Sequence, residues 1–225
     1  MDAEDWDRRY ADSALVWSAA PNVFVEQELA DLPPGTAVDV AAGEGRNALW
    51  LAGRGWDVTA VDFARAGLDK GRALAERLGE DLRISWVCAD VLEHDLGTAA
   101  FDLAVLAYLQ LPAEQRRTAV RRAFGALRDG GTLLVVAHDS SNLTEGTGGP
   151  QDATLLYTAE DVLADLDGER FDVVRAERVA RAAPGPAPET LGREPGHERP
   201  GDSQGPEDQV RTAYDALVRV TRTSG

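Results

Sequence analysis

The chain has 225 residues, and 23 Lys+Arg against 39 Asp+Glu give a formal net charge of −16. With 44% hydrophobic residues it is long enough to bury a self-sufficient core, which excludes disorder of the whole chain. So negative a surface repels phosphate backbones and anionic lipid, so neither nucleic acid nor a membrane is expected as a partner.

From about residue 22 to about residue 181, short apolar runs alternate with helical periodicity, the signature of βα units in a doubly wound, mostly parallel sheet of the Rossmann-like α/β class. A first helix is predicted from Asn22, its N-cap, to Leu32, stopped by Pro33-Pro34-Gly35. Strand one, Ala37 to Ala42, runs into Gly43-Glu44-Gly45 and a helix from Arg46 to Arg54 that ends at Gly55. Val58 to Val61 forms strand two with Asp62 at its C-terminal end, and Leu68, Ala73, Leu74 and Leu78 give the next helix its apolar face. Ile84 to Cys88 is strand three, Phe101 to Ala107 strand four, and Leu133 to Ala137 strand five; the last two are nearly all apolar, as doubly covered strands require. Between strands four and five a helix from Ala113 to Leu127 carries Arg116, Arg117, Arg121 and Arg122, read as a solvated face. Thr158 and Asp161 form a capping-box pattern for a helix from Ala159 to Leu166, and late strands Phe171 to Ala180 and Ala213 to Thr221 close the chain.

Between those late strands the composition changes. Six of the 11 prolines and five glycines fall in 184–209, with Leu191 the sole large aliphatic residue, so this stretch is expected to be a disordered insertion in a single domain spanning 1–225. Residues 1–21 are expected to cap the domain. Cys88 has no disulfide partner, and His94, His138 and His197 are too scattered for a four-ligand zinc set, so no metal is expected. The acidic start Met1-Asp2-Ala3-Glu4-Asp5 is unlike a signal peptide, and no apolar run approaches the ~18 residues of a spanning helix. A cytoplasmic monomer or homodimer is expected.

The chemistry-bearing motif is Gly43-Glu44-Gly45-Arg46-Asn47-Ala48, which follows a strand, opens a helix and precedes Asp62 at the end of the next strand. Glycines admit a ligand to the backbone, a helix N-terminus offers unpaired N–H groups, and a carboxylate at that distance accepts ribose hydroxyls. An adenosine-containing cofactor follows. The pattern fits both a dinucleotide fingerprint and a second one.

Val38-Asp39-Val40-Ala41-Ala42-Gly43-Glu44-Gly45 resembles motif I of class I S-adenosylmethionine-dependent methyltransferases, Cys88-Ala89-Asp90-Val91 resembles their motif after strand three, and Phe101 to Leu106 resembles motif IV. Trp6-Asp7-Arg8-Arg9-Tyr10 with the loop Gly43 to Asn47 is similar to the small bacterial group related to tellurite-resistance and thiopurine methyltransferases. The resemblance implies an antiparallel strand-seven hairpin, an N-terminal helical cap and S-adenosyl-L-methionine as cofactor. It implies Asp39 at the methionine ammonium, Asp62 at the ribose and Asp90 at the adenine amino group, with Ala41, Gly43, Gly45, Asn47, Phe63, Val91 and Ala107 completing the cofactor-binding set. Ala41 stands where the family has a loop glycine, which is tolerated if that position needs no positive φ.

Methyl transfer from a sulfonium is an in-line displacement governed by alignment, and a base is needed only where the acceptor arrives protonated. Candidates near the strand ends are His138, with Tyr108 and Gln110. His138 reads equally as a base or as a cap on strand five, and Asp139 either orients it or starts the turn. Ala107-Tyr108-Leu109-Gln110-Leu111-Pro112 departs from the Asn/Asp-Pro-Pro-aromatic motif of amino methyltransferases on DNA or protein, which points to a small-molecule acceptor. Trp6, Tyr10 and Trp17, with Arg46, are the expected acceptor-side residues, the aromatics as a lid or as an anchor for the N-terminus. Trp50, Trp56 and Trp86 read as packing residues. An NAD(P)-linked oxidoreductase or a non-catalytic cofactor-binding module would use the same glycines and Asp62.

Overall fold

The computed structural model describes residues 3–11, 20–79, 81–183 and 211–224; Trp17 and the segment 184–209 lie outside the described residues. Seven strands form one sheet: β1 (Thr36–Val40), β2 (Asp57–Asp62), β3 (Ile84–Cys88), β4 (Phe101–Ala107), β5 (Leu127–His138), β6 (Phe171–Ala183) and β7 (Arg211–Arg222). Their order is β3-β2-β1-β4-β5-β7-β6. The pairings from β3 across to β5 are parallel, and β7 runs antiparallel to both β5 and β6. The helices are α1 (Ala3–Ala11), α2 (Val23–Leu29), α3 (Arg46–Gly53), α4 (Arg65–Leu78), α5 (Ala113–Gly125) and α6 (Ala159–Asp165). The strand order reverses between β1 and β4, so the loops leaving those two strands diverge and open a crevice.

Side chains alternate across the central strands and feed two cores. On β4, Leu103 and Val105 join Leu51, Val58 and Leu134 on one face, while Ala104 and Leu106 join Val38, Phe124 and Leu133 on the other. The caps follow the sequence pattern. The Asn22 side chain accepts from Phe24 and Val25 N–H at 2.9 and 3.2 Å, and Thr158 with Asp161 makes the full capping box of α6.

Three expectations are corrected. Helix α5 stops at Gly125 because Leu127 pairs with Phe101 and starts β5 early; the register then jumps to Leu103–Thr132, leaving residues 128–131 as an outward bulge. Helix α2 ends at Leu29, short of Leu32. Within the arginine run of α5, Arg117 and Arg121 are exposed as expected, but Arg116 is not solvated. Arg116 is buried and grips Asp165 of α6, itself fully buried, through Nε at 2.6 Å and a second nitrogen at 3.3 Å, while Arg121 donates to the carbonyls of Asp165 and Asp167 at 2.7 Å. Periodicity marks these residues as off the sheet; it does not reveal that a second helix lies over them.

Candidate active site

Beyond β1 the chain turns through three residues of positive φ, Ala41 at 59°, Gly43 at 57° and Gly45 at 75°. The condition under which Ala41 would replace glycine without strain is therefore not met: a Cβ is carried at positive φ there, at a cost of about 1–2 kcal/mol. Backbone bonds hold the loop, from Ala42 N–H to Val61 at 3.0 Å and from Gly45 N–H to Ala42 at 2.9 Å. At Gly45 a Cβ would stand 2.5 Å from the ring of Trp86, which lies beneath the loop from β3. Gly45 is therefore required by packing as well as by its backbone.

Two carboxylates flank this loop. Asp39, on β1 and 1% exposed, accepts from Ala48 N–H in the first turn of α3 at 3.1 Å; burial pushes its carboxyl up to about 7, against the opposing pull of that N–H and of Arg46. Asp62 ends β2 and takes one backbone N–H on each oxygen, Gly43 on Oδ2 and Ala64 on Oδ1, both at 2.8 Å. Burial raises its carboxyl as well. Each oxygen retains a lone pair, so the carboxylate is held rigidly and can still accept two further donors. A cationic group beside Asp39 would supply the compensation that burial removes, and vicinal hydroxyls suit Asp62; these residues fit a nucleoside that carries a free amino acid.

The other residues expected to bind the cofactor lie after β2 and β3, at the end of β4, or in α3. Asp90 follows β3, is exposed and accepts from Leu92 N–H at 2.8 Å, with Val91 buried beside it. The Phe63 carbonyl receives the Cys88 thiol at 3.6 Å, and Ala107 is the half-buried last residue of β4. Asn47 is buried and uses its Oδ1 to accept from Asn22 N–H at 3.0 Å, tying α3 to the cap of α2.

Helix α1 lies on α4, where Asp7 accepts from Ala66 N–H at 2.8 Å. Tyr10 is buried, with Trp6 stacked on it at 5.5 Å. A Cβ at Gly67 would sit 3.1 Å from the Tyr10 ring and 3.0 Å from the Gly43 carbonyl, so this aromatic pair borders the glycine loop. Arg46, at the start of α3, has its guanidinium 6.0 Å from the Tyr108 ring, and burial lowers its pKa against the pull of Tyr108 and Asp39.

Tyr108, His138 and two residues missed by sequence reasoning form a single cluster. Tyr108 leaves β4 with φ of 62°, its ring 4.7 Å from that of His138, and its hydroxyl donates to Oδ2 of Asp215 at 2.9 Å. Burial, with the Asp215 charge adding, pushes the phenol up to about 12. Arg181 of β6 donates through Nε to the same oxygen at 2.6 Å. Asp215 is fully buried on β7, and its Oδ1 lies 3.4 Å from Nδ1 of His138. Of the sequence-based candidates, Gln110 lies behind the cluster: with its amide turned to satisfy both ends, it accepts from the His138 N–H at 2.7 Å and donates to the Leu155 carbonyl. Asp139 starts the turn, accepting from Ser141 N–H at 2.9 Å. One signal could have exposed Asp215: it is the lone charge in the apolar run Ala213 to Val218.

A methyltransferase domain family matches residues 37–131. Uncharacterized methyltransferases of Mycobacterium tuberculosis and Mycobacterium bovis are 35% identical over 133 residues, 58% of this chain; the match spans 64% of those relatives' length. Two solved structures share the architecture. TehB from Haemophilus influenzae has a TM-score of 0.66 at 16% identity, covering 99% of this chain and 68% of that one. The 1,6-didemethyltoxoflavin-N1-methyltransferase of Burkholderia thailandensis, with S-adenosylhomocysteine bound, has a TM-score of 0.61 at 22% identity, covering 99% and 87%. Residues 37–131 thus match a methyltransferase domain family, and the chain has the fold of these solved structures, with the antiparallel β6–β7 hairpin in place.

Proposed function

We propose that this protein transfers a methyl group from S-adenosyl-L-methionine to a small-molecule acceptor. One observation carries the reading: two buried carboxylates, Asp39 and Asp62, stand at the ends of neighbouring strands around a positive-φ glycine loop inside a methyltransferase domain. Asp39 would face the methionine ammonium, Asp62 the ribose hydroxyls, and Asp90 with Val91 the adenine. When bound, the cofactor supplies an electrophilic methyl on a sulfonium. The chain's own part is to orient and to exclude water, with Trp6 and Tyr10 covering the glycine loop and Tyr108, Arg46 and His138 facing the acceptor. His138 serves as the base where the acceptor carries a proton.

A small acceptor is supported by the charge of −16, which disfavours nucleic acid, and by the toxoflavin methyltransferase, whose substrate is small. No helix among the described residues is long and apolar enough to cross a membrane, and the cytoplasm suits a chain with a single cysteine. Calorimetric titration with S-adenosylhomocysteine and with NAD tests the assignment: binding of the former alone is expected, and tight NAD binding without it would refute methyl transfer.

A further inference from the structure

Asp215 has no place in the cofactor-binding pattern, yet it is the most buried charge at the acceptor end of the sheet. The antiparallel register of β5 and β7 sets it directly opposite His138. Its two oxygens are used differently. Oδ2 takes the Tyr108 hydroxyl at 2.9 Å and the Arg181 Nε at 2.6 Å. Among the described residues Oδ1 has no hydrogen-bond partner; it lies 3.4 Å from Nδ1 of His138, and that nitrogen has none either. Two orphaned buried atoms thus face each other at 3.4 Å.

The electrostatics of this pair fix the imidazole's proton. Asp215 faces the guanidinium of Arg181, and a carboxylate oxygen paired this way only accepts. A bare nitrogen at Nδ1 would set its lone pair against that oxygen at 3.4 Å, so the Nδ1–H form is the one the cluster tolerates. The Tyr108 ring at 4.7 Å and the close approach of Gly149, where a Cβ would meet the imidazole at 2.7 Å, restrict the ring further.

Resting on the methyl-transfer reading above, we propose that Asp215 is the positioning residue of the acceptor site: it fixes the proton of His138 on Nδ1 and so leaves Nε2 unprotonated, ready to take a proton from the acceptor. The acceptor class that uses this device is a nucleophile bearing a proton, a hydroxyl, thiol or ammonium, rather than a bare oxyanion. In the transfer, the acceptor atom's proton goes to Nε2 as its electron pair forms the bond to carbon, and the carbon–sulfur pair stays on sulfur; no further reactant is required. The resulting imidazolium is held by the carboxylate already in place.

The test is the tautomer itself, read from long-range 15N–1H spectra of the full chain with the imidazole neutral. The chain has three histidines, and loss of one signal set in His138→Gln assigns the resonance. His138 is expected in the Nδ1–H form, which histidine disfavours in water, and Asp215→Asn is expected to switch it to the Nε2–H form while leaving affinity for S-adenosylhomocysteine within about twofold. An Nε2–H imidazole in the unmodified protein overturns the proposal, as does an Nδ1–H form that persists in folded Asp215→Asn. Should that variant not fold, Tyr108→Phe removes a donor from Oδ2 but leaves Oδ1 in place, and loss of the Nδ1–H form there overturns the proposal equally. Absence of S-adenosylhomocysteine binding in the unmodified protein would instead strike the methyl-transfer reading and leave the tautomer assignment standing.

Discussion

The two halves of the sheet's C-terminal edge are built on different principles. On the β1–β2 side the carboxylates are held by main-chain N–H groups, Ala48 for Asp39 and Gly43 with Ala64 for Asp62. On the side of β4, β5, β7 and β6, Tyr108 and Arg181 hold Asp215 through side chains, with the His138 ring packed against Tyr108. Groups fixed by backbone cannot be re-aimed without moving a loop, which suits a constant ligand. A side-chain cluster can be altered one residue at a time, which suits the half of a site that distinguishes acceptors.

This contrast can be broken most severely at the loop. Gly45→Val sets a β-branched residue at φ of 75° and drives its Cβ into Trp86; together strain and overpacking should cost about 4 kcal/mol, seen as a large fall in melting temperature and loss of S-adenosylhomocysteine binding. A variant that melts normally would show that the loop does not have this shape. The next effect is Asp62→Ala, which strands the N–H groups of Gly43 and Ala64. Each unsatisfied donor costs about 1–3 kcal/mol, so a stability loss is expected even without ligand. Were only affinity to fall, the carboxylate would serve the ligand and not the loop.

The same contrast explains what was legible in the sequence. Asp39, the glycine loop and Asp62 lie within 24 residues of one another, and strand-then-glycine-then-helix is a local pattern, so their convergence follows from the order of elements alone. The βα alternation and the two late strands were legible from apolar runs in the same way, while their antiparallel pairing was implied by the resemblance. Asp215 was not, because its partner His138 is 77 residues earlier and only the antiparallel register pairs them. That register decided between two readings of Asp139, which caps a turn while the orienting carboxylate comes from another strand. Arg116 was misread for a similar reason: an arginine at an exposed helical position is solvated unless another helix, here α6, covers it.

The pH dependence sharpens the comparison on the cofactor side. Asp39 has its carboxyl raised to about 7 in the folded chain, above its unfolded value of about 3.9. Its contribution to stability is fully present below the unfolded value and is lost as pH rises through about 7. An ammonium bound beside it needs the ionised form, so ligand affinity should move the opposite way, falling roughly tenfold per pH unit below that value. Titration with S-adenosylhomocysteine at pH 6 in buffers of differing ionisation enthalpy should therefore report a proton released on binding. Proton uptake, or none, would place the ammonium elsewhere.

The smallest effect is expected at Trp6, where the N-terminal aromatics meet the glycine loop. Trp6 stacks on Tyr10 at 5.5 Å and is only partly buried, whereas Tyr10 is the residue against Gly67 and Gly43. Truncating the outer ring of such a pair removes about 0.5–1.5 kcal/mol and leaves the inner one in place, so Trp6→Ala should shift melting by only a few degrees and change S-adenosylhomocysteine affinity little. Its mark should appear in exchange: if α1 covers the loop, amides of α4 and the glycine loop become less protected in the variant when ligand is bound, because the outer ring is what closes water off. Unchanged protection in the bound state would make α1 an anchor for the N-terminus and confine the acceptor-facing surface to the β4–β5–β7 cluster.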